Sequence, residues 1–582
     1  MTIEQLKSQI CACLADKTAA AFPQAQLPPK QELEKTLLSA LEYPPDPSMG
    51  DIAVPCFRLS KTLRMGPPQI AKKLGEGLTG ELRYISKADI AGGYLNLTVS
   101  PEFYSEALLP EILEKGERWG RSDEGEGKTA VIDYSSPNVC KPFHIGHLGT
   151  TVIGHSLKLM LQFAGWKVIG INYLGDWGTQ FGKMIVAYRR WGEKEKVDSE
   201  GVDELLRLYV KFHVEAENDP SLNDAARAEF HKLETGDEEN TALWKWFREL
   251  AITEYKKTYR LLGIDFESWL GESFYTDKMP AQIELLREKG LLKVDNGASI
   301  VDLSDYKMPP CLILKSDGST LYPTRDIAAA VYRKNTYHFD KALYVTGAEQ
   351  SLHFAQWFKV VELMGYDWYD QLAHVPYGLV SLNGAKMSTR AGNMLQLKDL
   401  FGEAIDRVDA IIEEKNPNIE NRREAAEAVG TGAVIFHYLW NSRIKDSKFD
   451  MEEALSFDGA TGPYVQYTYA RTASILAKAG EDAGKTYEPG KYAPNGHEID
   501  LIHQLGLFPE RLKAALDGLE PSVMAHYSYD VATAFNRFYQ STRIISAETD
   551  EAKAFRLALT KAAGATLRSA LSLICLKTPE KI

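Results

Sequence analysis

The chain has 582 residues, 44% of them hydrophobic and 25% charged, and a formal net charge of −13. That length suits several domains, about four on size alone. The acidic balance argues against a protein that coats nucleic acid without specificity, while local basic patches still suffice for an RNA-binding enzyme. No apolar run is long enough to cross a bilayer. The cysteines (Cys11, Cys13, Cys56, Cys140, Cys311, Cys575) include no Cys-x-x-Cys pair, which argues against a disulfide framework or a structural metal.

Residues 1–17 carry Glu4 and Asp16, lack a long apolar centre, and space Ile3, Leu6, Ile10 and Leu14 on one helix face. They read as a helix rather than a signal peptide, so a cytoplasmic protein is expected. The rest of 1–121 mixes helical patterns with strand-like runs at 85–90 and 94–99, an α+β domain. Within the second run, Tyr94 and Asn96 are two apart and share one side of a strand. SDEGEGK at 122–128 is polar and glycine-rich, a linker into a new domain. TAVID at 129–133 is a short buried-strand pattern, followed by a loop with Pro137 and Pro142 and by a helical pattern from His144 onward. Strand, loop, helix opens a doubly wound, Rossmann-type fold. A second strand is predicted at 167–173, and later ones at 343–346 and 377–382. A mostly helical insertion spans 183–266. From 397 to 582 the chain is almost wholly helical, with strong periodicity at 422–439, 462–478, 503–516 and 552–575. The predicted architecture is therefore an α/β Rossmann-type domain over 122–396 with a helical insertion, between an α+β N-terminal domain and an all-α C-terminal region.

Residues 135–150 read SSPNVCKPFHIGHLGT. A helix start attracts phosphate through its free N–H groups and dipole. His144 and His147 are three apart and share one face of the first turn. Gly146 lets a flat group approach the backbone, and Lys141 adds a cation. About 240 residues later, a spacing suited to two halves of a doubly wound sheet, residues 384–393 read GAKMSTRAGN. A lysine in such a glycine-flanked loop can swing onto phosphate.

Together these segments resemble the two ATP motifs of class I aminoacyl-tRNA synthetases, and Asn138 and Lys141 resemble the arginine-specific branch. The resemblance implies that His144 and His147 contact the ATP phosphates and stabilise charge that grows in the transition state. The second motif departs from the family's Lys-Met-Ser-Lys pattern, because its fourth position is Thr389. Lys141 is the family's usual substitute for the missing cation, so Lys386 and Lys141 jointly face pyrophosphate. Gly146, Met387, Ser388, Thr389 and Arg390 complete the implied ATP site.

A selective arginine pocket needs carboxylates and carbonyl acceptors in a fixed plane. By the same resemblance, the Tyr322/Asp326 pair of LYPTRDIA (321–328) holds the guanidinium end. Asn138 and the Gln350 of GAEQSLH (347–353) orient the substrate. Asp133, which stands where some members have Glu, is a further implied arginine-binding position. NYLGDWGTQFG at 172–182 lies beside the site, with Asp176 and Gln180 as weaker candidates, and GESFY at 271–275 matches a family run without an assigned role. The C-terminal helices resemble the family's anticodon-binding domain, with Tyr464, Tyr467 and Tyr469 as stacking faces. Tyr94 and Asn96 resemble a pair that meets the D-loop of tRNA. The implied reaction joins L-arginine to the 2′-hydroxyl of the terminal adenosine of tRNA(Arg) through arginyl-adenylate. ATP with Mg²⁺ is a substrate, tRNA is needed before activation, and the implied enzyme is a monomer with no DNA or membrane partner.

Overall fold

A computed structural model describes all residues except Cys140, Pro142 and 383–394, together with the side chains of Pro47 and Leu382. Its centre is a four-stranded parallel sheet in the order Leu372–Tyr377, Lys341–Gly347, Thr129–Asp133, Lys167–Ile171. Strand Thr129–Asp133 is flanked on both sides, with Val131 opposite Ile169 and Ala342. Ala130, Val131 and Ile132 are all but inaccessible, which is why the sequence there is a continuous apolar run rather than an alternating one. The chain leaves this strand in one direction across the sheet and returns later on its other side. The crevice outside the strand ends therefore falls between Asp133 and Gly347, where doubly wound sheets place ligands.

Helix Leu148–Phe163 connects the first two strands and is buried on nearly every face. Its Lys158 is tolerated there because Nζ meets both oxygens of Glu267, at 2.7 and 2.8 Å, and the carbonyl of Asp265. Gly154 allows the helix to lie on Tyr134, since a Cβ at that position would come within 2.3 Å of the tyrosine Cβ.

The helical insertion runs from Thr179–Trp191 to the long Glu238–Leu262. The latter starts on an Asp237 side chain accepting from Asn240 N–H and ends at Gly263 in the left-handed region. A three-stranded antiparallel sheet, 292–295, 298–301 and 311–314, follows it and was not anticipated. The strand predicted at 377–382 is corrected. Leu372–Tyr377 forms the edge of the parallel sheet, and Val380–Leu382 pairs instead with Ser447–Phe449. Gly378 breaks the run: its N–H donates to the Arg443 carbonyl, and a Cβ there would lie 2.5 Å from Lys445 backbone atoms. Pro376 is tolerated because its strand is an edge.

Two compact units emerge from the packing. One comprises residues 121–470, 511–529 and 570–582, and holds the parallel sheet. The other comprises 1–120, 471–510 and 530–569. In it an antiparallel sheet (52–55, 94–99, 85–91) sits with a capped N-terminal helix, in which Thr2 and Gln5 satisfy each other's backbone N–H groups. Its helical part is fastened by Arg556, whose guanidinium binds Glu498 at 2.8 Å and Glu548 at 2.7 Å.

Candidate active site

The segment after Asp133 is shaped by two left-handed residues, Ser135 (φ 69°) and Ser136 (φ 45°). Such conformations cost on the order of 1–3 kcal/mol each and persist only when over-determined. Here Ser135 N–H donates to Thr150 Oγ1, and its hydroxyl meets Thr151 and Tyr259 at 2.7 and 2.6 Å. Ser136 Oγ donates to Asp133 Oδ1 at 2.9 Å and accepts from Tyr173 N–H at 3.1 Å. The turn sends Asn138 across to a parallel bridge with Gly175. Tyr255 then donates its hydroxyl to the carbonyls of Asn138 and Lys141, so the stem of the half-buried Lys141 is fixed from behind.

The helix does not begin at His144. A 3-10 turn, Ile145–His147, intervenes, and the α-helix starts at Leu148. The imidazoles are the cause. His144 Nδ1 accepts from Gly146 N–H at 3.0 Å, and His147 Nδ1 accepts from His144 N–H at 3.2 Å. With Nδ1 committed as acceptor, each neutral ring carries its proton on Nε2. The ring centroids are 4.0 Å apart. Burial, with Lys141 adding to it, pushes His144 down to about 4. Burial, then the neighbouring His144, pushes His147 to about 3. At neutral pH the pair offers two N–H donors without positive charge.

This turn is tied to the second phosphate segment. Ile145 N–H donates to the Leu395 carbonyl at 3.0 Å, and Leu397 N–H to the Phe143 carbonyl at 2.9 Å. His144 and Gln396 thus form an antiparallel bridge. The residues predicted for that segment, Lys386, Met387, Ser388, Thr389 and Arg390, lie outside the described residues.

Asp133, Asn138, Tyr322, Asp326 and Gln350 all lie in the unit that holds the parallel sheet. Tyr322 opens helix Tyr322–Tyr337 and is 67% exposed. Asp326, one turn on, has its carboxylate 2.6 Å from His353 Nε2. Gln350 ends a 3-10 turn at the exit of strand Lys341–Gly347 and is exposed. Asp133 is the exception. Its carboxylate is buried and meets the Arg333 guanidinium at 2.8 Å, so it already has a guanidinium from the protein itself. Burial pushes this carboxyl upward against the pull of Arg333.

Asp176 is also accounted for internally. It is fully buried, accepts from Arg248 Nε at 2.7 Å and from the N–H and hydroxyl of Ser273, and its carbonyl accepts from Trp244. It latches the insertion helix to the GESFY turn rather than facing a ligand, and Gly271 is glycine because a Cβ would lie 2.4 Å from that carboxylate. Gln180 donates to the Trp177 carbonyl at 2.9 Å. The sequence reading missed Glu272, which pairs with Arg325 at 2.5 Å. Its carboxyl is pushed up to about 7, by burial first and then by Asp326 and Asp176, against Arg325. The only sequence signal for it was the GESFY run. Three carboxylates around the crevice are thus matched by Arg333, Arg325 and Arg248, whereas Asp326 has a histidine. No three His, Cys, Asp or Glu side chains converge as metal ligands among the described residues.

Of the RNA candidates, Tyr94 is half-buried with its ring against Phe57 at 5.3 Å, and Asn96 is buried in the central strand. Tyr467 is 43% exposed, whereas Tyr469 is buried.

The family model "tRNA synthetases class I (R), catalytic domain" matches residues 108–451. The chain belongs to the arginyl-tRNA synthetase family. The family's "Arginyl tRNA synthetase N terminal domain" matches residues 5–99, and the "DALR anticodon binding domain" matches 465–582. The chain is 49% identical over 551 residues to an arginine–tRNA ligase of Alkaliphilus metalliredigens, covering 94% of this chain and 96% of that protein. It is 48% identical over 583 residues, all of both chains, to that of Clostridioides difficile. The fold superposes on the Thermus thermophilus arginyl-tRNA synthetase with a TM-score of 0.80 at 26% identity, covering 93% and 96% of the two chains. No helix among the described residues is long and apolar enough to cross a membrane.

Proposed function

We propose that this member of the arginyl-tRNA synthetase family charges tRNA(Arg) with L-arginine in two steps at the crevice between Asp133 and Gly347. The observation that carries the reading is the backbone ladder between 143–145 and 395–397, because it leads the chain out of the lysine segment directly against the histidine turn. In the first step the arginine carboxylate attacks the α-phosphorus of MgATP, the bond to the bridging oxygen breaks, and pyrophosphate leaves. In the second, the 2′-hydroxyl of the tRNA terminal adenosine attacks the carbonyl carbon of arginyl-adenylate, and AMP leaves with the bonding pair.

The protein works by position and charge rather than by covalent participation. His144 and His147 donate Nε2–H to phosphate oxygens. Lys141 and Lys386 supply the cationic charge the neutral imidazoles do not, and Gly146, Met387, Ser388, Thr389 and Arg390 surround the nucleotide. Asp326 accepts the guanidinium, with Tyr322 beside it, while Asn138 and Gln350 orient the α-amino acid end. Asp133 supports the pocket from behind. Residues 1–121, through Tyr94 and Asn96, meet the corner of the tRNA, and the helices of 397–582 take the anticodon, with Tyr467 the accessible stacking face. The enzyme acts in the cytoplasm as a monomer, without DNA or membrane partners, and requires tRNA before it activates arginine.

A charging assay with arginine, MgATP and bulk tRNA tests the main reading: esterified arginine is expected, and none under saturating substrates overturns it. Pyrophosphate exchange tests the order. Exchange should appear only when tRNA is added, and a full rate without it refutes the requirement.

A further inference from the structure

Arg333 is a deeply buried charge near the crevice. It lies in helix Tyr322–Tyr337 with 1% of its surface accessible. Its guanidinium carbon sits 5.0 Å from the Tyr173 ring, 5.7 Å from Tyr344 and 6.0 Å from Tyr275. Asp133 at 2.8 Å is its charge partner. Burying two ions is costly, and an apolar pair of similar volume usually serves stability as well or better.

Asp133 spends Oδ2 on Arg333 and Oδ1 on the Ser136 hydroxyl, and the same hydroxyl accepts from Tyr173 N–H. Ser136 is one of the two left-handed residues, and two residues beyond it stands Asn138. The Asn138 side chain lies so close to the neighbouring loop that a Cβ on Gly175 would fall 2.2 Å from its Oδ1. A carboxylate without its cation in this site would tend to take a proton or turn away, and the turn that carries Asn138 would lose its clamp.

We infer that Arg333 is a positioning residue for arginine activation: it locks Asp133, which fixes the Ser135–Ser136 turn and thereby the side chain of Asn138. The inference rests on the reading of Asn138 as an arginine contact.

The experiment measures arginine and ATP KM separately, with kcat at saturation, in Ser136→Ala, Arg333→Lys, the double variant Asp133→Leu/Arg333→Met, and Asn138→Ala. Ser136→Ala removes the last link and leaves the buried charges intact, so it carries the test even where the double variant does not fold. A sub-ångström misplacement of a substrate-orienting group is worth about tenfold or more. Ser136→Ala and the folded double variant should therefore raise the arginine KM about tenfold, with the ATP KM and kcat within about threefold, and Arg333→Lys should fall between them and the wild type. Wild-type arginine KM in Ser136→Ala, with a raised one in Asn138→Ala, overturns the relay and leaves the pocket reading standing. An unchanged arginine KM in Asn138→Ala overturns the pocket reading for that residue and the relay with it.

Discussion

The two halves of the crevice are built on different principles. On the proposed phosphate side, hydrogen bonds to the backbone do the fixing: the histidine rings cap their own turn, and the turn is laddered to 395–397. On the arginine side, side-chain charge does it. Three carboxylates are cancelled by the protein's own arginines, and Asp326 is left facing a histidine. Phosphate is the same in every reaction of this class and can be met by a rigid frame. An amino acid must be chosen, and under the proposed function Asp326, which has no arginine of the protein against it, is the carboxylate left for the substrate's guanidinium.

Substitutions that break one side and spare the other test this contrast. The largest effect is expected for Asp326→Asn, which removes the acceptor's charge: kcat/KM for arginine should fall by about 10²–10³ with the ATP KM nearly unchanged. A parallel rise in the arginine and ATP KM values would show that the sides are not separable. Next comes His147→Ala or His144→Ala, where kcat should drop about 10²-fold while arginine affinity, read by equilibrium binding, changes little.

A smaller effect concerns stability. Adding a methyl at Gly154→Ala pushes on Tyr134, and overpacking of this kind costs about 1–3 kcal/mol, so the melting temperature should fall with both KM values preserved. The smallest is the pH dependence of the histidine turn. Free imidazoles titrate near 6.5, whereas His144 and His147 are held at about 4 and about 3. Between those values the unfolded chain binds protons that the folded one refuses. The stability they contribute is complete above about 6.5 and drains away as pH falls toward 4. Melting curves from pH 8 to 5 should show this loss reduced in the doubly substituted His144→Gln/His147→Gln protein, and an identical slope would mean that the rings are not neutral in the fold.

The histidine turn was the more legible in sequence because it is local. The histidines, the glycine between them and the preceding loop lie within a dozen positions. The helix start was misplaced by four residues because a histidine cap looks like helix until its Nδ1 is seen accepting from the backbone. The strand before Gly378 was misread for a related reason: Pro376 breaks the usual strand pattern, and its tolerance depends on the edge position. The arginine side was only half legible. Asp326 was proposed from the family resemblance of LYPTRDIA, since its spacing from Tyr322 alone says little, and nothing local says that Asp133 meets Arg333 or that Glu272 meets Arg325. Those pairs join residues far apart in sequence, and charge cancellation is a property of the folded arrangement.

If Asp326 takes the substrate's guanidinium as proposed, that arrangement makes charge matching a selection rule for the pocket. A planar urea such as the side chain of citrulline matches arginine in outline yet brings no positive charge, and it would leave Asp326 with His353 as its only partner. An ammonium side chain brings the charge but not the plane of donors. Under the proposed function, these two independent requirements would support discrimination in a single step.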